Sequence, residues 1–316
     1  MIRVALIGAG DHSRTHHAPA LADFQRSHPG AIRIAVCDRD EARAREAQRQ
    51  FDFEEHFTDA DDLRARFQPD AALLITPVPI TLSMVRKFLP DAIPLLIEKP
   101  LGVNIEEARL LAEAVMEAAV PAMVSLNRRF DPGFAIARKW LAEQGPLRVV
   151  HGNMLRVRRA EPQFVWSTGI HLLDLLCVVG RPMKPLTTVG SVRASGADIW
   201  RLARLDAAEG PAVSIQIMPN CGKMEESLRL AGDAYCADLW TGTSHPWRVQ
   251  CYLEGELVLD EQAPADQPLH IRSGSSSETE GFLQAVLGGA PLPGPTVADA
   301  LASSQVAAAL AGGKGC

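Results

Sequence analysis

No two cysteines of this chain are spaced as CxxC, and none sits in a Cys/His cluster. Cys37, Cys177, Cys221, Cys236, Cys251 and Cys316 therefore indicate neither a zinc site nor a redox pair, and no bound metal is expected. Several lie in apolar runs and read as small buried hydrophobes kept reduced. The start of the chain lacks the basic-then-apolar pattern of a secretory signal. No apolar run approaches the roughly 20 residues that span a bilayer. There is no excess of positive charge: 32 Lys and Arg face 38 Asp and Glu, a net charge of −6. On that balance bulk attraction to nucleic acid or to an anionic membrane is not expected, which leaves room for a local basic patch. Internal repeats are absent, and Ser273–Ser277 reads as a polar loop too short for disorder. A cytoplasmic protein is expected.

What is present is a chain of 316 residues, 47% hydrophobic, long enough for about two domains of roughly 150 residues each. Up to residue 126, strand and helix patterns alternate. Ile2–Ile7, Ile32–Cys37, Ala71–Ile75, Ile93–Ile97 and Ala122–Leu126 are short continuous apolar runs, as in a parallel sheet covered on both faces. Asp40–Gln50, Asp59–Phe67 and Asn104–Ala119 are helical between them, with Asn104 and Glu107 forming a cap and its N3 acid. This is the doubly wound α/β pattern.

Asp131-Pro132 starts another helix that ends near Gln144-Gly145-Pro146. The texture then changes. Leu147–Arg158, Thr187–Ala194, Ile199–Asp206, Ala212–Met218, Ser227–Ala231 and Trp247–Leu259 read as strands of a large, mainly antiparallel open sheet. A helix at Gly169–Val179 interrupts them, and Thr296–Leu310 is a final helix. The expected division is a dinucleotide-binding domain, 1–126, and an α/β domain for substrate binding and oligomerisation, 127–316, whose last helix packs back on the first domain.

Gly8-Ala9-Gly10-Asp11-His12-Ser13 follows the first strand and opens a helix. Gly8 permits a tight turn, Gly10 lets a pyrophosphate approach the backbone, and the helix start offers N–H groups and partial positive charge. Ser13 stands where a third glycine is usual and is small enough for close packing. Asp38 ends the second strand, where an acid accepts from the adenosine ribose hydroxyls and favours NAD; the adjacent Arg39 leaves NADP open. Glu98-Lys99-Pro100 directly follows a buried strand, at the sheet edge where ligands bind in such folds. A solvated lysine at a strand end is the plain alternative for Lys99. His171 and Asp174 share one helical face, either as a catalytic pair or as a buried histidine satisfied by an acid.

These blocks together resemble the glucose–fructose oxidoreductase/inositol dehydrogenase (Gfo/Idh/MocA) family of NAD(P)-dependent oxidoreductases. The resemblance rests on Gly8-x-Gly10 with His16 and Leu21, Thr76-Pro77, Glu98-Lys99-Pro100-Leu101, Asn127-Arg128-Arg129-Phe130-Asp131-Pro132 and His171-x-x-Asp174. Glu280-Gly281-Phe282 through Ala285 and Asp299-Ala300-Leu301 resemble its C-terminal end. The resemblance implies a Rossmann domain followed by an open-sheet domain that carries a homodimer or homotetramer interface. It implies hydride transfer between a nicotinamide cofactor, NAD or NADP, and a secondary alcohol of a sugar, polyol or sugar acid. Gly8, Gly10, Asp11, His12, Ser13, Asp38, Arg39, Thr76, Pro77, Glu98, Lys99 and Asn127 would then meet the cofactor. Lys99, His171 and Asp174 would be catalytic. Lys99, Arg128, Arg156, Trp166, Ser167 and His171 would meet substrate.

Trp166 reads equally as a stacking platform for a sugar and as a core residue. Arg156, Arg158 and Arg159 with Arg128-Arg129 suit an anionic substrate group or, alternatively, a solvated strand face or salt bridges. Two positions depart from the family pattern. Ser167 stands four residues before His171, where many sugar and inositol dehydrogenases carry aspartate, and Thr81 stands near a place often held by histidine. The first departure leaves a second reading, a cofactor-binding sensor without turnover; a dehydrogenase for a non-sugar substrate is a third.

Overall fold

The computed structural model describes residues 1–180, 200–205 and 210–312. Its first elements are β1 (Ile2–Ile7), α1 (Ala18–Ser27), β2 (Ile32–Cys37), α2 (Glu41–Phe51), β3 (Glu55–Phe57), α3 (Ala60–Phe67), β4 (Ala71–Leu74), α4 (Val78–Phe88), β5 (Leu95–Glu98), α5 (Ile105–Glu117) and β6 (Ala122–Ser125). There follow α6 (Pro132–Leu141), β7 (Val149–Leu155), α7 (Ile170–Gly180), β8 (Arg201–Leu205), β9 (Ala212–Met218), β10 (Glu225–Gly232), β11 (Tyr235–Trp240), β12 (Arg248–Leu253), β13 (Glu256–Gln262), α8 (Leu269–Arg272), α9 (Ser275–Gly288) and α10 (Val297–Leu310). The chain forms two compact units: 1–126 with 275–301, and 127–274 with 302–316.

The first unit is a six-stranded parallel sheet in the order β3-β2-β1-β4-β5-β6. Val4, Ala5, Leu6, Leu73, Leu74, Leu95, Leu96 and Ile97 are completely buried, as central strands covered on both faces must be. Helices α1 and α2 pack against each other, as do α4 and α5, the arrangement expected of crossover helices on two faces of a parallel sheet. Side-chain caps start the helices. Asp40 and Asp59 accept from the first amides of α2 and α3. At α5 the Glu107 amide donates to Asn104 Oδ1, and Glu107 Oε2 accepts from the Val103 amide. The unit is completed from far along the chain. Helix α9 packs on α1, Ser125 Oγ donates to Glu278 Oε2 at 2.8 Å, and the Val124 amide donates to the Pro295 carbonyl.

The second unit is a seven-stranded sheet, β13-β12-β11-β10-β7-β9-β8, antiparallel except for β7 with β9. Alternating burial along β7, β9 and β11 shows one covered and one open face. Helix α6 packs on β11 and β12, and α7 on β7.

Several expectations need correction. Trp247–Leu259 is not one strand: Glu254 and Gly255, both at positive φ, turn β12 back into β13 as a hairpin. Ser275–Ser277 begins α9 rather than lying in a loop. The sequence reading missed α4, β3 and β11. The strand expected at Thr187–Ala194 lies outside the described residues, as do the ends of Ile199–Asp206, of which β8 is the described part. Cys316 also lies outside them, and the other five cysteines form no disulfide. No described helix is long and apolar enough to cross a membrane.

Candidate functional site

In the first unit the site is built from the carboxyl edge of the parallel sheet. Gly8 sits at φ +104°, and a Cβ there would lie 2.0 Å from the Ile75 carbonyl oxygen. Only glycine lets β1 turn so close to β4. The Gly8 amide donates to the Cys37 carbonyl, and the Ala9 amide donates to Asp38 Oδ2 at 2.8 Å. Asp38 Oδ1 accepts from the Asp40 amide. Asp38 thus braces the glycine turn, and each carboxylate oxygen keeps a further acceptor direction for a ribose hydroxyl. Arg39 is exposed beside it.

The segment after Gly10 is a π turn, Ser13–His17, continuing into α1. The fit of a dinucleotide here follows from two features. A Cβ on Gly10 would meet nothing within 4 Å, so the backbone is open to close approach. Ser13 is buried, and its Oγ has no hydrogen-bond partner. Gly8, Gly10, Ser13 and Asp38 therefore suit a pyrophosphate and a ribose.

The π turn carries one extra residue per turn compared with an α-helix. Within this turn His17 faces inward. His17 is fully buried, with Nε2 3.6 Å from Glu98 Oε2. His12 is half-exposed, with Nε2 3.4 Å from the same oxygen, and its ring stacks on His16 at 4.4 Å. Burial pulls the His17 imidazole below its ordinary range, partly offset by Glu98. Burial pushes the Glu98 carboxyl up, but His12, His17 and Lys99 outweigh it and hold the group well below the usual carboxylate range. Lys99 Nζ lies 3.8 Å from Glu98 Oε1, and the Lys99–Pro100 peptide is cis. Thr76 is buried, its hydroxyl 3.3 Å from that of Thr81, and Pro77 caps α4. Thr81 therefore anchors the start of α4. His12, His17 and Glu98 form a compact cluster of metal-ligand type that cysteine spacing gave no reason to expect.

In the second unit His171 and Trp166 are buried and Ser167 is partly buried at the start of α7. Asp174 was expected either to orient the imidazole or to close a structural network. It takes part in the second: Arg129 donates two 2.7 Å hydrogen bonds to it, and Ser303 Oγ donates a third at 2.8 Å. Arg128 and Arg156 do not form a basic patch for substrate. Both are buried and both pair with Glu226, at 3.1 and 2.5 Å. Arg158 is exposed past the end of β7, and Arg159 pairs with Glu161. Asn127 donates to the Ser273 carbonyl and accepts from Arg128.

Residues 2–126 match the family model described as the Gfo/Idh/MocA oxidoreductase family, NAD-binding Rossmann fold. The first domain of the chain is similar to that family over these residues. Its relatives include scyllo-inositol 2-dehydrogenase (NAD(+)) of Bacillus subtilis, 30% identical over 44% of this chain and 39% of the relative. D-apiose dehydrogenase of Paraburkholderia graminis is 30% identical over 54% of this chain and 48% of the relative. The matches thus span less than half the length of either relative. An Agrobacterium radiobacter oxidoreductase, solved in complex with NAD+, L-tartaric acid and magnesium, shares the fold: TM-score 0.81 and 19% identity over 99% of this chain and 96% of that one.

Proposed function

We propose that this chain is an NAD-dependent dehydrogenase acting on a secondary alcohol of a sugar, polyol or sugar acid. The observation that carries the reading is the placement of the glycine turn and of Glu98-Lys99 at the carboxyl edge of one parallel sheet, where ligands bind in open α/β folds. The names of the inositol and apiose dehydrogenases that resemble it support the substrate class.

The nicotinamide supplies the acceptor for hydride when NAD is bound. Gly8, Gly10 and Ser13 bind the pyrophosphate and Asp38 the ribose, while Asp11, Arg39, Thr76 and Pro77 border the cofactor. Lys99, a cation held by Glu98, binds the substrate hydroxyl and stabilises the developing alkoxide. His171 accepts the hydroxyl proton, a task suited to imidazole near neutral pH. Asp174 acts through Arg129 and Ser303 as a positioning residue for α7. Trp166 and Ser167 border the substrate.

The test begins with fluorescence titration of NADH and NADPH, where preference for NADPH would overturn the role of Asp38. Turnover is then measured over inositols, aldoses and sugar acids. His171→Ala and Lys99→Ala should each lose roughly 10²-fold or more in kcat while still binding NADH; a variant with wild-type rates removes that residue from the mechanism. Ser167, in the place of the usual aspartate, supports a second reading, a cofactor-binding sensor. Tight NADH binding with no turnover on the whole panel would favour it. The open face of the seven-stranded sheet is proposed as the surface of a homodimer or homotetramer, checked by light scattering.

A further inference from the structure

We propose that His12, His17 and Glu98 form a binding site for a divalent transition metal of the zinc class. The inference stands independently of the dehydrogenase reading. In a regular α-helix, residues five apart point about 140° away from each other. The π turn at Ser13–His17 follows an i to i+5 repeat and brings His12 and His17 to the same carboxylate. Glu98, the last residue of β5, meets them from the sheet.

The distances suit a metal better than hydrogen bonds. Zinc binds imidazole nitrogen and carboxylate oxygen at about 2.0–2.1 Å, so two ligands of a tetrahedral site stand about 3.3 Å apart. The two histidine nitrogens lie 3.4 and 3.6 Å from Glu98 Oε2, and the three donor atoms all fall within 4.8 Å of one another. Glu98 Oε2 is buried and makes no hydrogen bond, although it faces both imidazoles. Three protein donors leave a fourth position, and the exposed edge of His12 opens that side to water. Two nitrogens and one oxygen select zinc, cobalt or nickel over magnesium and calcium, which take oxygen ligands. Behind the cluster, Ser125 Oγ stands 3.5 Å from His17 Nε2 and donates to the buried carboxyl group of Glu278. Because His12 lies two residues beyond Gly10, a bound metal would tie the glycine turn to β5.

The experiment is calorimetric titration of the cofactor-free chain with ZnCl2, with MgCl2 as control, followed by the visible spectrum of the Co²⁺-loaded protein. The expected result is one Zn²⁺ per chain, no Mg²⁺ binding, and a four-coordinate cobalt spectrum without thiolate bands. Affinity should fall roughly tenfold or more in both His12→Ala and Glu98→Gln. His12 is half-exposed, so its variant should keep the fold, which circular dichroism checks. Absence of zinc binding, a thiolate spectrum, or wild-type affinity in either variant overturns the proposal.

Discussion

Gly8 and Gly10 lie two residues apart and answer to different constraints. At Gly8 both the positive φ and the Ile75 carbonyl exclude a side chain. Gly8→Ala should destabilise the chain by roughly 3 kcal/mol or more, read by urea denaturation. At Gly10 the protein itself offers no obstacle. Gly10→Ala should melt within about 1 kcal/mol of the parent yet weaken NADH binding about tenfold, because the added methyl occupies the approach of the pyrophosphate. Equal affinity would mean that the phosphates lie elsewhere. The glycine pattern is readable in the sequence because its constraint is local. The inward turn of His17 is not, because nothing in the composition marks a π turn.

At the scale of elements, buried charge decides stability. Glu226 on β10 sits between two buried guanidinium groups, which hold its carboxyl below the ordinary range against burial. Glu226→Gln should cost about 3–5 kcal/mol, since two buried cations lose their partner. A loss under 1 kcal/mol would show that water reaches them. Asp131 caps α6 by accepting from the Phe134 amide, and its other oxygen accepts from the Gly242 amide at 2.7 Å. Burial pushes its carboxyl up to about 7, against the pull of those amides and of Arg128. An acid whose folded value is raised binds more protons folded than unfolded. Its contribution is therefore full below about pH 4 and lost as the pH rises to about 7, up to roughly 4 kcal/mol. Asp131→Asn should remove that slope when denaturation is followed from pH 4 to 8. The cap itself is legible in Asp131-Pro132, but the Gly242 contact is not, because it joins residues far apart in the chain. The arginines are a similar case. Their spacing suggested a charged face, while the carboxylate that absorbs them lies on another strand. The short strand β3 and the hairpin of β12 and β13 were obscured for want of a long apolar run or a clean break in the pattern.

At the scale of the whole molecule, the parallel sheet is the most legible part, since strands buried on both faces must be apolar throughout. What composition does not reveal is that this unit is assembled from two separated stretches. Buried Phe282 and Leu283 on α9 belong to it. A fragment of residues 1–126 should therefore expose the apolar side of α1 and aggregate. Joining 275–301 to it through a flexible linker should restore a soluble, cooperatively melting domain, as seen by light scattering and calorimetry. If the short fragment alone melts cooperatively, α9 is dispensable.

That discontinuity also has a consequence in time. During synthesis the six strands emerge first, and α9 follows only after residues 127–274 have been translated. At typical elongation rates the interval is on the order of ten seconds. Throughout it the nascent nucleotide domain waits with one flank uncovered, so its last packing step follows the ribosome's schedule.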